Sequence, residues 1–187
     1  GKALISYMSG GHLKVSYVDP ETCSDGGTCS WAHYWYVDET NNNNGYHTSV
    51  AFNPNTGRAL ISYRDYAGVG GVMGRLKVAY CSNEKCTGPA TITSLDDGFS
   101  MVNGYTLLDN GYTSLAFHPT SGRALISYYD FFNDHTPYRH YLKVAYCHAA
   151  ACNTGATITT LDTADEVGYS TSVAFHPVSG RAVISYF

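Results

Sequence analysis

An all-β fold of four-stranded antiparallel meanders is predicted by three observations. Short apolar phrases recur at one phase, tight hairpins rich in Pro and Gly separate them, and no stretch carries a helical period. The first phrase is "TSVAFNPNTGRALISYRD" from Thr48, "TSLAFHPTSGRALISYYD" from Thr113 and "TSVAFHPVSGRAVISYF" from Thr171, 65 and then 58 residues apart. Repeats of this length signal supersecondary units that bury their faces only by stacking on neighbours.

Each unit divides into strands A to D. "TSVAF" is A and "RALISY" is B, joined by "NPNTGR", "HPTSGR" or "HPVSGR". Gly57, Gly122 and Gly180 are placed there to take a positive φ, which glycine adopts without steric cost. "HLKVSYVD", "RLKVAYC" and "YLKVAYC" are C; "TITSLDD" and "TITTLDT" are D, with "SWAHYWYVD" from Ser30 as a degenerate first D. The B strands are expected at Lys2–Tyr7, Arg58–Tyr63, Arg123–Tyr128 and Arg181–Tyr186, against three each of A, C and D. The chain therefore reads as three β-propeller-type blade equivalents plus one extra strand, with a β-trefoil as the alternative. A single domain spans 1–187, with repeats at about 1–47, 48–112 and 113–170 and a partial repeat at 171–187. It is expected to belong to a longer propeller or array, and without an initiator Met or a signal-peptide pattern it reads as mature or trimmed.

Composition narrows the class of partner. Hydrophobic residues make up 44% and charged residues only 14%, a globular and weakly charged chain. A formal net charge of −4 with no basic stripe argues against nucleic acid, and no apolar run reaches membrane-helix length. The cysteines fall into close pairs, Cys23/Cys29, Cys81/Cys86 and Cys147/Cys152, each beside a C–D turn. Even number and regular recurrence predict three local disulfides and an oxidising, extracellular or cell-surface location; zinc is the rival, disfavoured by the spacing.

The pattern "TSVAF…GRALISYYD…LKVAYC…C…ITTLD…VGY" resembles secreted bacterial β-propeller-type repeat proteins, over nearly the whole chain. The resemblance implies an extracellular repeat module and no agreed activity. The first repeat departs from it in lacking the "TITTLD" strand. "SDGGTCSW" from Ser24 is only loosely similar to the Asp-box of sialidases, with the wrong spacing.

Any site is expected on the face bearing the B–C loops and D–A connections, whose lengths differ between repeats while the A–B and C–D turns stay near-constant. Tyr66, Asp130, Phe131, Asp134, His135 and Tyr138 are the candidate ligand-binding residues, since aromatic rings beside Asp and His suit a sugar. Eleven acids are placed on this face, among them Asp38, Asp65, Asp96, Asp130 and Asp162. Capping of turns is the first reading of each. Ca²⁺ is the one cofactor the pattern suggests, with Asp109, Asp165 and Glu166 as its ligands. Tyr7, Tyr63, Tyr128 and Tyr186 recur at one phase and are assigned to packing between units, each hydroxyl reaching an edge partner. His118 and His176, replaced by Asn53 in the equivalent turn, are assigned to turn structure. No G-x-S-x-G, HExxH or P-loop pattern is present. The expected function is non-enzymatic recognition or adhesion toward glycan or protein. Self-assembly into a fibre or sheath, with further blades or copies as partners, is the alternative. A glycoside hydrolase of sialidase-like propeller type is the second alternative.

Overall fold

A computed structural model of the chain describes residues 3–18, 34–66, 72–97, 99–100, 111–132, 139–164 and 166–187. The described residues are all-β, without a helix, and form a series of open antiparallel sheets. The first sheet contains β1 (Ala3–Ser9), β2 (His12–Val18) and β3 (Tyr34–Asp38) in that order. The second contains β4 (Asn44–Phe52), β5 (Ala59–Asp65), β7 (Arg75–Tyr80) and β8 (Thr91–Asp96). A small two-stranded sheet joins β6 (Val72–Met73) to β9 (Phe99–Ser100). The third full sheet contains β10 (Thr113–Phe117), β11 (Ala124–Phe132), β12 (Arg139–Cys147) and β13 (Ala156–Asp162), and a last pair joins β14 (Ser172–Phe175) to β15 (Ala182–Ser185).

These strands follow the expected A to D order, and the degenerate first D phrase does form a strand, β3. β5, β11 and β15 start one residue after the recurrent Arg, which stays in the hairpin. β5 and β11 run on past the final Tyr of the expected B strand, to Asp65 and Phe132. The β6–β9 pairing lies between a B–C loop and a D–A connection and was not expected.

Alternation of side chains along the strands places one face against the preceding sheet and the other against the following one. Ala59, Ile61, Tyr63 and Ala79 meet Leu4, Leu13 and Val15 of the first sheet. On the opposite face, Leu60, Leu76 and Val78 meet Ala124, Ile126, Tyr128 and Ala145 of the third. β5 and β7 of the second sheet are therefore covered on both faces, which explains why β5 reads as a continuous buried run.

Polar bonds set the alignment of neighbouring sheets. Thr48 Oγ1 donates to Ser6 O at 2.8 Å, Ser62 and Thr113 share a hydroxyl bond at 2.8 Å, and Thr171 Oγ1 donates to Ser127 Oγ at 2.8 Å. Ser49 Oγ accepts from Leu115 N at 3.1 Å and Ser114 Oγ from Val173 N at 3.0 Å. The recurrent Thr-Ser dipeptide thus fastens successive units, the Thr hydroxyl to the B strand of the preceding sheet and the Ser hydroxyl to the backbone of the next A strand.

The hairpins stack in the same sense. Asn53 Oδ1 accepts from Asn55 N and Thr56 N, and in the later copies His118 Nδ1 accepts from Thr120 N and Ser121 N, and His176 Nδ1 from Val178 N and Ser179 N. Asn and His do the same work because each offers one acceptor at the right reach. Asn53 Nδ2 also donates to Gly122 O of the next hairpin at 2.9 Å. Two of the expected disulfides are described, Cys81–Cys86 and Cys147–Cys152, each with Cα atoms 5.0 Å apart and its second cysteine at φ 55°. The Cys23–Cys29 pair lies outside the described residues.

The hairpin glycines yield a graded test. Gly57 has φ +68° and open space where a methyl group would lie, whereas a methyl on Gly122 (φ +62°) would sit 2.6 Å from Asn55 Nδ2. Gly57→Ala is expected to cost about 1–2 kcal/mol from the left-handed backbone alone. Gly122→Ala is expected to cost more, because it also displaces the neighbouring hairpin; urea denaturation of both variants checks the order.

Candidate functional site

The B–C loops and D–A connections leave from one end of the sheets, and the side chains there fall into a buried polar layer and an aromatic layer. In the buried layer Tyr63, fully buried, donates to Asp38 Oδ2 of the preceding sheet at 2.6 Å. Tyr128 donates to Asp96 Oδ2 at 2.6 Å, and on the last strand pair Tyr186 makes the same bond to Asp162 Oδ2 at 2.8 Å in an exposed position. Three successive boundaries carry the same bond. Its acceptor is positioned by a turn: Asp38 Oδ1 accepts from Thr40 N at 2.9 Å and Thr40 Oγ1 at 2.6 Å, and Asp162 Oδ1 from Ala164 N at 2.9 Å. One carboxylate oxygen caps the turn and the other crosses to the next sheet.

A lysine from strand C completes the layer. Lys77 Nζ lies 2.5 Å from Asp65 Oδ2 and 3.9 Å from Asp38 Oδ2. Lys143 Nζ contacts Asp130 and lies 3.6 Å from Asp96 Oδ2. In the first sheet Ser9 stands where Asp65 and Asp130 stand, so Lys14 Nζ is 3.5 Å from Ser9 Oγ and lies over the Tyr34 and Tyr36 rings. Burial pushes the Asp38 carboxyl up, but the Thr40 side chain, Tyr63, the Thr40 backbone and the Lys77 charge together outweigh it and hold it below its ordinary value. Burial first, and the facing carboxylates second, push Tyr63 and Tyr128 far above the ordinary phenol value.

The expected open acidic rim is corrected at three positions. Asp38, Asp65 and Asp130 are buried between sheets and bonded to tyrosine, asparagine or lysine. Arg64, also buried, donates to Gly74 O of its own unit at 2.6 Å and reaches across the boundary to Tyr129 O of the third sheet.

The aromatic layer lies at the start of the A strands. Tyr46 meets Tyr66 edge-on at 5.0 Å, and His47 lies 4.9 Å from Tyr112. Gly111 fits between them, since a methyl there would fall 2.2 Å from Tyr66 Oη. The next boundary repeats the theme: Tyr129 and Tyr169 both direct their hydroxyls at His140 Nδ1, with their rings 4.7 Å apart. Gly45 (φ +85°) and Gly168 (φ +94°) let these connections lie directly on the C strands, a methyl on Gly45 falling 2.7 Å from Leu13 Cα. On the opposite end, a groove of about 420 Å³ is lined by Tyr17, Phe52, Gly57 and Glu84.

Of the candidate ligand-binding residues, Tyr66 is buried within the first aromatic cluster and Asp130 is held by Lys143. Phe131 lies in β11, paired through its backbone with His140. Asp134, His135 and Tyr138 lie outside the described residues, as do Asp109 and Asp165 of the Ca²⁺ set. Glu166 is exposed at φ 59°. Among the described residues no three His, Cys, Asp or Glu side chains converge as metal ligands. Sequence reasoning passed over Tyr46, Tyr112 and Tyr169 and the paired lysines, whose signal was recurrence, "GY" before "TS" and "LKV" in every unit; His47 and His140 have no histidine counterpart at the same phase in the other units.

No protein-family model, curated protein or solved structure matches the chain.

The buried layer sets a pH window. Asp38 has a lowered pKa in the fold, so its contribution is full above the ordinary aspartate value of 3.8 and is lost as pH falls below it. Tyr63 has a raised pKa, so its contribution is full below the ordinary tyrosine value of 10.0 and declines as pH rises past it. Urea denaturation across pH is expected to show a plateau between these limits, with a shallower alkaline fall in Tyr63→Phe.

Proposed function

We propose that this chain is a β-propeller-type repeat module, resembling the secreted bacterial repeat proteins, that acts by recognition rather than chemistry. One contrast carries the reading. The tyrosine–aspartate bonds that join the sheets recur, whereas the side chains that face the recurrent tyrosine of the loop end differ from boundary to boundary. His47 faces Tyr112 at one boundary and His140 faces Tyr129 and Tyr169 at the next. A constant frame with a variable rim is how a binding surface is diversified without loss of the fold. Tyr112 keeps 43% of its surface exposed beside His47, an apolar face with polar neighbours that suits a sugar ring or an extended peptide. Two disulfides support an extracellular setting, and no helix among the described residues is long and apolar enough to cross a membrane.

A second reading, assembly with copies of itself, is favoured by a different observation. Val183 and Phe187 are 67% and 83% exposed, while Leu60 and Tyr129 at the equivalent positions of inner sheets are 0% and 4% exposed, so the last strand pair presents an apolar face that strands of a copy or of the same polypeptide would cover. Light scattering separates the two: a growing particle size supports assembly.

Binding to a glycan array, followed by titration of the best ligand, tests the first reading. Tyr112→Ala is expected to weaken binding about tenfold or more while the far-ultraviolet spectrum and unfolding midpoint stay near the parent's, the range typical of an aromatic anchor. Undiminished binding by Tyr112→Ala and Tyr169→Ala would remove the aromatic layer from the site.

A further inference from the structure

We propose that Lys77 and Lys143 are joined covalently to Asp65 and Asp130 by amide bonds that the folded protein forms by itself. Strand register brings the reacting groups together. Lys77 is the cross-strand partner of Tyr63, and Asp65 lies two residues further along the same face of β5; Lys143, Tyr128 and Asp130 repeat the arrangement on β11 and β12. The result is an amine in contact with a carboxyl group, Lys77 Nζ 2.5 Å from Asp65 Oδ2 and Lys143 against Asp130. Water is largely excluded: the lysine side chains are 12% and 11% exposed and the aspartates 1% and 3%.

A second carboxyl group stands beside each pair, Asp38 Oδ2 at 3.9 Å from Lys77 and Asp96 Oδ2 at 3.6 Å from Lys143. Asp38 does not need the lysine as a partner. It already accepts from Tyr63, Thr40 N and Thr40 Oγ1, bonds that hold the carboxylate in place beside Lys77 Nζ. An ion pair fits the Lys77 site poorly, because one buried ammonium between two buried carboxylates leaves net charge out of water, whereas at the Lys143 site the buried Arg64 over the Tyr128 ring offsets the second carboxylate. Asp130 Oδ1 adds to this: buried, it has no hydrogen-bond partner among the described residues. An orphaned carboxylate oxygen is costlier there than the oxygen of a neutral amide.

The step balances without oxidant, metal or cofactor. A proton passes from Nζ to the Asp65 carboxylate, giving a neutral amine and a carboxylic acid. The amine lone pair attacks Cγ, Asp38 takes a proton from Nζ and returns it to the departing hydroxyl, and one water leaves. The Nζ–Cγ bond has formed and one Cγ–O bond has broken. Asp96 serves Lys143 and Asp130 in the same way. The first sheet is a built-in control, since Ser9 facing Lys14 offers no carboxyl carbon.

Intact mass of the full chain, denatured and with disulfides reduced, tests this directly. The expected mass is lower than the sequence mass by two waters, and digestion is expected to yield two branched peptides, one containing Asp65 and Lys77 and the other Asp130 and Lys143. Lys77→Arg and Lys143→Arg each restore one water, and Asp38→Asn leaves the Lys77 site unreacted for longer. A wild-type mass equal to the sequence mass overturns the proposal. So does a deficit that persists in the double lysine variant, as ring closure at Asp97-Gly98 would produce.

Discussion

A tyrosine hydroxyl buried between two β-sheets must find an acceptor, and that requirement organises this protein. Tyr63 and Tyr128 are completely buried, and the acceptor in each case is an aspartate at the end of the preceding sheet's last strand. The bond is charge-assisted and shielded from water, conditions under which a hydrogen bond contributes about 1.5–3 kcal/mol. It also fixes direction. An aspartate on one sheet and a tyrosine on the next allow only one order of stacking, and the Thr hydroxyls of the A strands, each reaching the B strand of the preceding sheet, repeat the same order.

Apolar contact alone would not define this alignment. Leu, Ile, Val and Ala across the boundaries supply most of the burial, but such surfaces tolerate sliding. Polar pairs from both the A and the B strand at each boundary remove that freedom, because a shift of one residue would strand a buried hydroxyl and a buried carboxylate. Function then has room only where the frame does not reach. The aromatic clusters around His47 and His140 gather at the loop end, where the D–A connections bring Tyr112 and Tyr169 against strands β4, β11 and β12, and there the units differ.

Much of this architecture was legible in the sequence because strands alternate and hairpins need particular residues. "GRALISY" fixed the B strands, and the Asn/His exchange in the A–B turn revealed a shared acceptor. The destination of the aspartates was half legible. A turn-capping role depends on residues two or three positions away and was anticipated; the second oxygen's bond to a tyrosine 25 or 32 residues later is non-local, and no short pattern reports it. Lys77 and Lys143 were overlooked for a similar reason: in a strand phrase a lysine reads as solvent-facing, and only the folded neighbour reveals that it is enclosed. The β6–β9 pair was illegible, being two residues on each side and too short for any period.

A double-mutant cycle on Asp38→Asn and Tyr63→Phe tests the central claim most directly. If the bond across the boundary governs stacking, the two losses measured by urea denaturation overlap, with a coupling of about 1–3 kcal/mol, and the same cycle on Asp96 and Tyr128 gives a matching value. Strictly additive losses at both boundaries would contradict the account, because they would mean that each residue acts within its own sheet.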